Sequence, residues 1–204
     1  MAVARKIGIF AGSFDPIHNG HIAAAYAANE KAQLDRLFFM VEPSPRHKQG
    51  VKAFEHRSEM VRLAIAEMPL FGSIILDQPQ FTMTDTLPIL QSRFAGDELY
   101  FVMGDDVAGH IVNWTDIRSM AQQLRIIVVT RSTKPSVIQE QLSSLSGVLG
   151  LSLESADVTE KQSDTSSSAI RKAVKNGQKL DTIHPGVLAY IKRHNLYGSS
   201  GLGS

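Results

Sequence analysis

A doubly wound α/β fold is what the sequence predicts: a parallel sheet of five to six strands with helices on both faces. Two observations carry it. Short apolar runs of strand character alternate with segments of helical periodicity along the whole chain. Strand–helix alternation of this kind implies parallel strands joined by right-handed crossovers.

"KIGIF" (6–10) is a buried strand. Residues 19–33 read as a helix with Ile22, Ala25 and Tyr26 on one side, and "RLFFMV" (36–41) as the second strand. "PSPRHKQG" (43–50) is a loop by its prolines and glycine. Over 53–68, Met60, Val61, Ala64, Ile65 and Met68 recur at helical spacing. "SIILD" (73–77) is the third strand, 84–94 a helix with Pro88 in its first turn, and "ELYFVMG" (98–104) the fourth strand. A helix over 115–123 leads to the strand "RIIVVTR" (125–131), and a helix over 135–145 to the strand "VLGLSLE" (148–154). Helices over 166–177 and 185–195 close the chain. The reading is one Rossmann-like domain over 1–197 and a flexible Gly/Ser tail over 198–204. In such sheets, ligands bind beyond the carboxyl ends of the strands where strand order reverses, so polar residues just after strands are site candidates.

Composition narrows the chemistry. The 204 residues carry a net charge of +1, which gives no bulk attraction for nucleic acid or membrane, so any anion site must be built locally. There are no cysteines, which excludes disulfides, thiolate metal sites and cysteine nucleophiles. No apolar stretch approaches 18 residues, and a soluble cytoplasmic protein is expected. A homo-oligomer is left open. The chain contains no G-x-G-x-x-G, no Walker A loop and no G-x-S-x-G elbow.

The first strand-to-helix junction, "GIFAGSFDPIHNGHIAAAY" (8–26), holds the densest signal. Gly12 permits a tight turn, Ser13 and Asp15 can bond turn amides, and Pro16 stiffens the loop. A helix N-terminus there offers free amides and partial positive charge, which favour phosphate. His18 ends the loop and His21 lies in the first turn, so both imidazoles can face one bound anion. From spacing alone the pair could also be a cap or the start of a metal site. Far along the chain, "DTSSSAIRKAV" (164–174) places serines at a helix start and Arg171 after them, which suits either a phosphate site or a cap with a solvated face.

"GSFDPIHNGH" together with "SSSAIR" resembles the paired H-x-G-H and I-S-S-T-x-I-R signatures of the nucleotidyltransferase superfamily, and within it the bacterial nicotinate-nucleotide adenylyltransferases. The resemblance runs over roughly 6–197 through "PRHK" (45–48), "HRSEMVRLAI" (56–65), "FTMTDTL" (81–87), "YFVMGDD" (100–106), "NWTDI" (113–117) and "VLAYIKRHNLY" (187–197). Departures are Arg46 for a proline, Phe81 for a tyrosine, Thr165 for an isoleucine and Ser168 for a threonine.

The resemblance implies transfer of the adenylyl group of ATP to nicotinate mononucleotide, releasing pyrophosphate, with no covalent protein intermediate. It implies His18, His21, Lys48 and Arg171 as catalytic phosphate contacts. Gly12, Ser13, Phe14, Gly104, Asp105, Ser166 and Ser167 are implied to bind ATP. Thr84, Asp85, Thr86, Trp114, Arg46 and His47 are implied to bind the mononucleotide, with the Trp114 indole stacked on the pyridinium. No protein metal ligand is expected; Mg2+ would be carried mainly by the ATP phosphates. Another adenylyltransferase of the superfamily, acting on nicotinamide mononucleotide or pantetheine phosphate, is the nearest alternative. A tRNA-ligase fragment lacks its lysine-rich loop here, and a non-enzymatic nucleotide sensor would not need both histidines, Lys48 and Arg171.

Overall fold

The computed structural model describes residues 3–45, 48–79, 81–82, 84–104, 123–130, 153–158 and 165–198. Its centre is a six-stranded sheet of β1 (Lys6–Gly12), β2 (Arg36–Val41), β3 (Phe71–Ile74), β4 (Glu98–Gly104), β5 (Arg125–Thr130) and β6 (Leu153–Asp157). The order is β3-β2-β1-β4-β5-β6, and every neighbouring pair is parallel. Strand order reverses between β1 and β4, so the crevice beyond Gly12 and Gly104 is the topological switch point.

The helices are α1 (Asn19–Ala32), α2 (Phe54–Ile65), α3 (Thr86–Arg93), α4 (Ser167–Lys175) and α5 (Pro185–Arg193), followed by a 3-10 turn at Leu196–Gly198. Alternating side chains of the strands feed two cores, one on each face of the sheet. Phe10, Phe39, Val102 and Ile127 face α1, α2, α4 and α5, contributed by Ala24, Ala28, Met60, Val61, Ile170 and Ile191. Ile7, Ile9, Phe101 and Val128 face α3 through Leu87, Leu90 and Phe94. Helices therefore cover both faces, as the alternation predicts.

β2 and β4 occupy the residues expected of them, while two strands are displaced. β3 lies at 71–74 because Phe71 to Ile74 align with Leu37 to Met40, and Ile75, in the predicted run, is 59% exposed. Gly72 is needed in β3, since a Cβ there would come within 2.7 Å of the Phe38 ring. β6 lies at 153–157, paired residue for residue with Ile126–Thr130. On α1 the buried face is a stripe of alanines, Ala24, Ala25, Ala28 and Ala32, and Tyr26 lies at the surface against Phe71 with ring centroids 4.7 Å apart. Small side chains there let the helix lie close over the sheet. Of the helices expected over 115–123 and 135–145, all but Gln123 lies outside the described residues, as does the tail beyond Gly198.

Candidate active site

The loop from β1 to α1 crosses the switch point, and its geometry follows from tight packing. A Cβ on Gly12 would lie 3.0 Å from the Phe14 ring, tighter than ordinary contact, so a side chain there would push on that ring. Phe14 itself has φ of 46° and is buried against Phe10, Phe39 and His21. Its ring is thus part of the core, and its backbone is what it can offer a nucleotide. The Asp15–Pro16 peptide is cis.

His18 is the N-cap of α1 and is 2% exposed. Its Nδ1 accepts the Gly20 N–H at 3.1 Å, while the His18 N–H donates to His21 Nδ1 at 3.2 Å. The pair forms a reciprocal capping box with histidines in place of the usual serine and glutamate. The two rings lie 3.8 Å apart between centroids. With Nδ1 accepting in each ring, the proton of each neutral imidazole sits on Nε2. In this tautomer neither ring has a lone pair at Nε2 for a metal, and Nε2 of His18 is a buried atom. This arrangement favours the phosphate reading over the metal reading.

The backbone amides at this helix start differ from expectation. Asn19 N–H donates to Thr182 O at 2.9 Å, His21 N–H to His18 O at 2.9 Å and Ile22 N–H to His18 O at 3.3 Å, and Gly20 N–H goes to His18. The first-turn amides are occupied within the protein, so this helix start does not offer them to an anion. Ser13 and Asp15 likewise reach other segments. Ser13 Oγ accepts from Lys48 Nζ at 3.0 Å, and Asp15 Oδ1 accepts from Lys52 N–H at 3.3 Å and from the Tyr197 hydroxyl.

The C-terminal segment grips the same loop. Ser167 Oγ donates to Pro16 O at 3.0 Å, and Arg171 NH1 donates to Asp15 O at 2.8 Å. Arg171 NH2 donates to Ser168 Oγ at 3.0 Å, and NH1 lies 4.0 Å from Asp15 Oδ2. Ser166 is the N-cap of α4, its Oγ accepting from Ala169 N–H. Ser13, His18 and His21 of this loop and helix start, Lys48, and Ser167 and Arg171 are therefore brought together from three parts of the chain, with Ser166 capping the helix that carries the last two. Gly104 ends β4 beside them. Across the sheet edge, Thr84 and Asp85 are exposed before α3, while Thr86 is buried and its Oγ1 accepts from Thr82 N–H. Arg46, His47, Asp105 and Trp114 lie outside the described residues.

Two participants were not singled out from the sequence. Arg57, fully buried on α2, donates to Lys52 O, Ser13 O, Glu42 O and Pro43 O, each at 2.8 Å. It ties the ends of β1 and β2 to the segment bearing Lys48. Burial pulls its pKa down, opposed by the nearby Asp15 carboxylate. Its signal was available: Arg57 sits on the same helix face as Met60, Val61 and Ala64, where a charge is unusual. Tyr197 is the other, and nothing local in its sequence points to Asp15.

A model of the cytidylyltransferase-like family matches residues 9–173. A protein of Thermus thermophilus named as a probable nicotinate-nucleotide adenylyltransferase is 35% identical over 196 residues, covering 94% of this chain and 99% of that protein. The nicotinate-nucleotide adenylyltransferase of Bacillus subtilis is 33% identical over 202 residues, covering 96% and 100%. The chain belongs to the nicotinate-nucleotide adenylyltransferase family. The fold of this family member also matches solved structures. The nicotinic acid mononucleotide adenylyltransferase of Plasmodium falciparum complexed with NaAD has a TM-score of 0.77 at 19% identity, covering 96% of this chain and 98% of that one. The same enzyme complexed with APC gives 0.76 at 18% identity, with the same coverage.

Proposed function

We propose that this family member transfers the adenylyl group of ATP to nicotinate mononucleotide, forming nicotinate adenine dinucleotide and pyrophosphate. The observation that carries the chemistry is the convergence of His18, His21, Lys48 and Arg171 on the loop at the switch point. Near-full-length identity to proteins named for this reaction supports the substrate pair.

The mononucleotide phosphate oxygen attacks the α-phosphorus of ATP in line. The bond from that phosphorus to the bridging oxygen breaks, and pyrophosphate leaves with its electron pair. The protein supplies position and charge. The Nε2–H groups of His18 and His21 donate to the phosphate oxygens on which charge builds. Lys48, held at Ser13, and Arg171, held at Asp15, bring cations from two other segments. Ser166 and Ser167 shape the α4 end of the phosphate site. Gly104 and Asp105 line the ATP side, and Thr84, Asp85, Thr86, Arg46 and His47 the acceptor side, with Trp114 stacking on the pyridinium.

Among the described residues no group of three or more His, Asp or Glu side chains is placed to hold a metal. The donor set around the loop is N–H and cationic, which fits Mg2+ arriving on the triphosphate rather than in a protein cage. When bound, it neutralises phosphate charge. Among the described residues no helix is long and apolar enough to cross a membrane.

Incubation with ATP and either nicotinate or nicotinamide mononucleotide, followed by chromatography, tests the reading. Nicotinate adenine dinucleotide with equimolar pyrophosphate is expected. Failure to form a dinucleotide from either acceptor would refute it.

A further inference from the structure

We propose that Tyr197 is a positioning residue for this transfer, its hydroxyl acting through the Asp15 carboxylate to orient the Arg171 guanidinium. The inference rests on the reading of the loop as a phosphate site.

Tyr197 lies in the last described turn of the chain, yet its hydroxyl donates to Asp15 Oδ1 in the first loop. Its φ of 60° is a conformation that a bulky residue rarely adopts, so its surroundings hold it there. The Lys52 ammonium lies 5.6 Å from the centre of its ring. Burial and the bond to Asp15 push the hydroxyl pKa far above the ordinary tyrosine value, so it remains a neutral donor.

Asp15 is the link. Its side chain is 5% exposed, and with Oδ1 fixed by Tyr197 and the Lys52 amide, Oδ2 is turned toward Arg171 NH1. The same NH1 donates to Asp15 O, and NH2 to Ser168 Oγ. These contacts fix the plane of the fork on one side. The Arg171 side chain is 38% exposed, so its remaining N–H groups have an open side from which to meet phosphate oxygens. Without the Tyr197 hydroxyl, the Asp15 carboxylate can rotate and the fork loses its alignment. The charge of Arg171 stays, but its geometry does not, and in-line transfer depends on geometry.

The test uses Tyr197→Phe, which keeps the ring over Lys52 and removes the donor. It is expected to melt cooperatively, to lose kcat by about 10-fold, and to keep the parent KM for the mononucleotide. Tyr190→Phe is the control: it removes a hydroxyl of α5 bonded to His56 Nδ1 at 2.9 Å and is expected to keep the parent kcat. In an Arg171→Ala background, Tyr197→Phe should cause no further loss, because the two act in series. Asp15→Asn, which keeps an acceptor for Tyr197 but removes the charge facing Arg171, tests the same link with the tyrosine intact. It too should lower kcat alone and add nothing to Arg171→Ala. Parent kcat in folded Tyr197→Phe overturns the role, as do independent losses in the double variants. A parent protein that forms no dinucleotide overturns the phosphate reading and this role with it.

Discussion

Arg57→Lys probes the buried joint beneath the site, and the structure sets its magnitude. The guanidinium makes four hydrogen bonds to carbonyls of Ser13, Glu42, Pro43 and Lys52 at 2.8 Å while fully buried. A hydrogen bond from a charged donor contributes about 1.5–3 kcal/mol net, and a buried acceptor left unsatisfied costs about 1–3 kcal/mol. Lysine keeps the charge but presents a single ammonium in place of a planar fork, so it can meet some of these carbonyls and not all. Two abandoned carbonyls and a strained ammonium amount to a loss of about 3–5 kcal/mol. For a chain of 204 residues, about 2.1 cal/mol/K of unfolding entropy per residue makes each kcal/mol worth about 2–3 °C in Tm. The expected drop is therefore about 7–12 °C by calorimetry. Because the Ser13 carbonyl is one of the four acceptors, the Ser13–Lys48 contact should loosen too, raising KM for ATP at temperatures where the variant is fully folded. A Tm within about 2 °C of the parent, with unchanged KM, would refute the reasoning.

Three further outcomes follow from the same geometry. His18→Asn should keep the N-cap, since asparagine caps well, yet lower turnover at least about 100-fold by removing the Nε2–H, whereas His18→Ala should also cost about 1 kcal/mol of stability; parent turnover in folded His18→Asn would remove the imidazole from the chemistry. Trp114→Ala should raise KM for the pyridine nucleotide and spare that for ATP in steady-state assays, and an effect confined to ATP would contradict stacking. Asp97 is held below the ordinary carboxylate range chiefly by its hydrogen bond from Arg5, so its contribution is full above the unfolded value and is lost as pH falls through the lower folded value. Asp97→Asn should therefore melt earlier than the parent at neutral pH, with the gap closing in acid; a gap independent of pH would count against the pairing.

Local signals were legible and long-range ones were not. "RLFFMV" and "ELYFVMG" are apolar runs bounded by charge, and β2 and β4 begin and end with them. The displaced strands are those whose apolar runs overshoot their pairing partners: "SIILD" continues past the last partner of β3, and "VLGLSLE" begins before the first partner of β6. Pairing register is a property of two strands, and neither sequence alone contains it. The H-x-G-H spacing exposed His18 and His21, since the pair lies within one turn. The bonds of Asp15 to Arg171 and Tyr197 span separations of 156 and 182 residues, which no local pattern encodes. Arg57 was hidden differently: its face was readable, but its four acceptors are backbone carbonyls, which every residue has.

The histidine pair also changes what the helix start does. A bare α1 N-terminus would offer its own amides to a phosphate, close to the backbone and fixed in direction. Here the Gly20 and His18 amides are taken by Nδ1 atoms, and the proton of each ring is moved to Nε2, on the far side of the imidazole. The capping box thus converts two main-chain donors into two side-chain donors set further out from the helix, without leaving the amides unsatisfied. On the proposed reading, cap and phosphate contact are one device: the bond at Nδ1 both caps the helix and selects the tautomer that can donate. A residue that caps but is shorter, such as asparagine, keeps its amide N–H close to the helix instead of at the Nε2 position, so it can do the first and not the second. On this account the spacing of three residues is required by the reciprocal cap, and the identity of both residues as histidine is required by the chemistry.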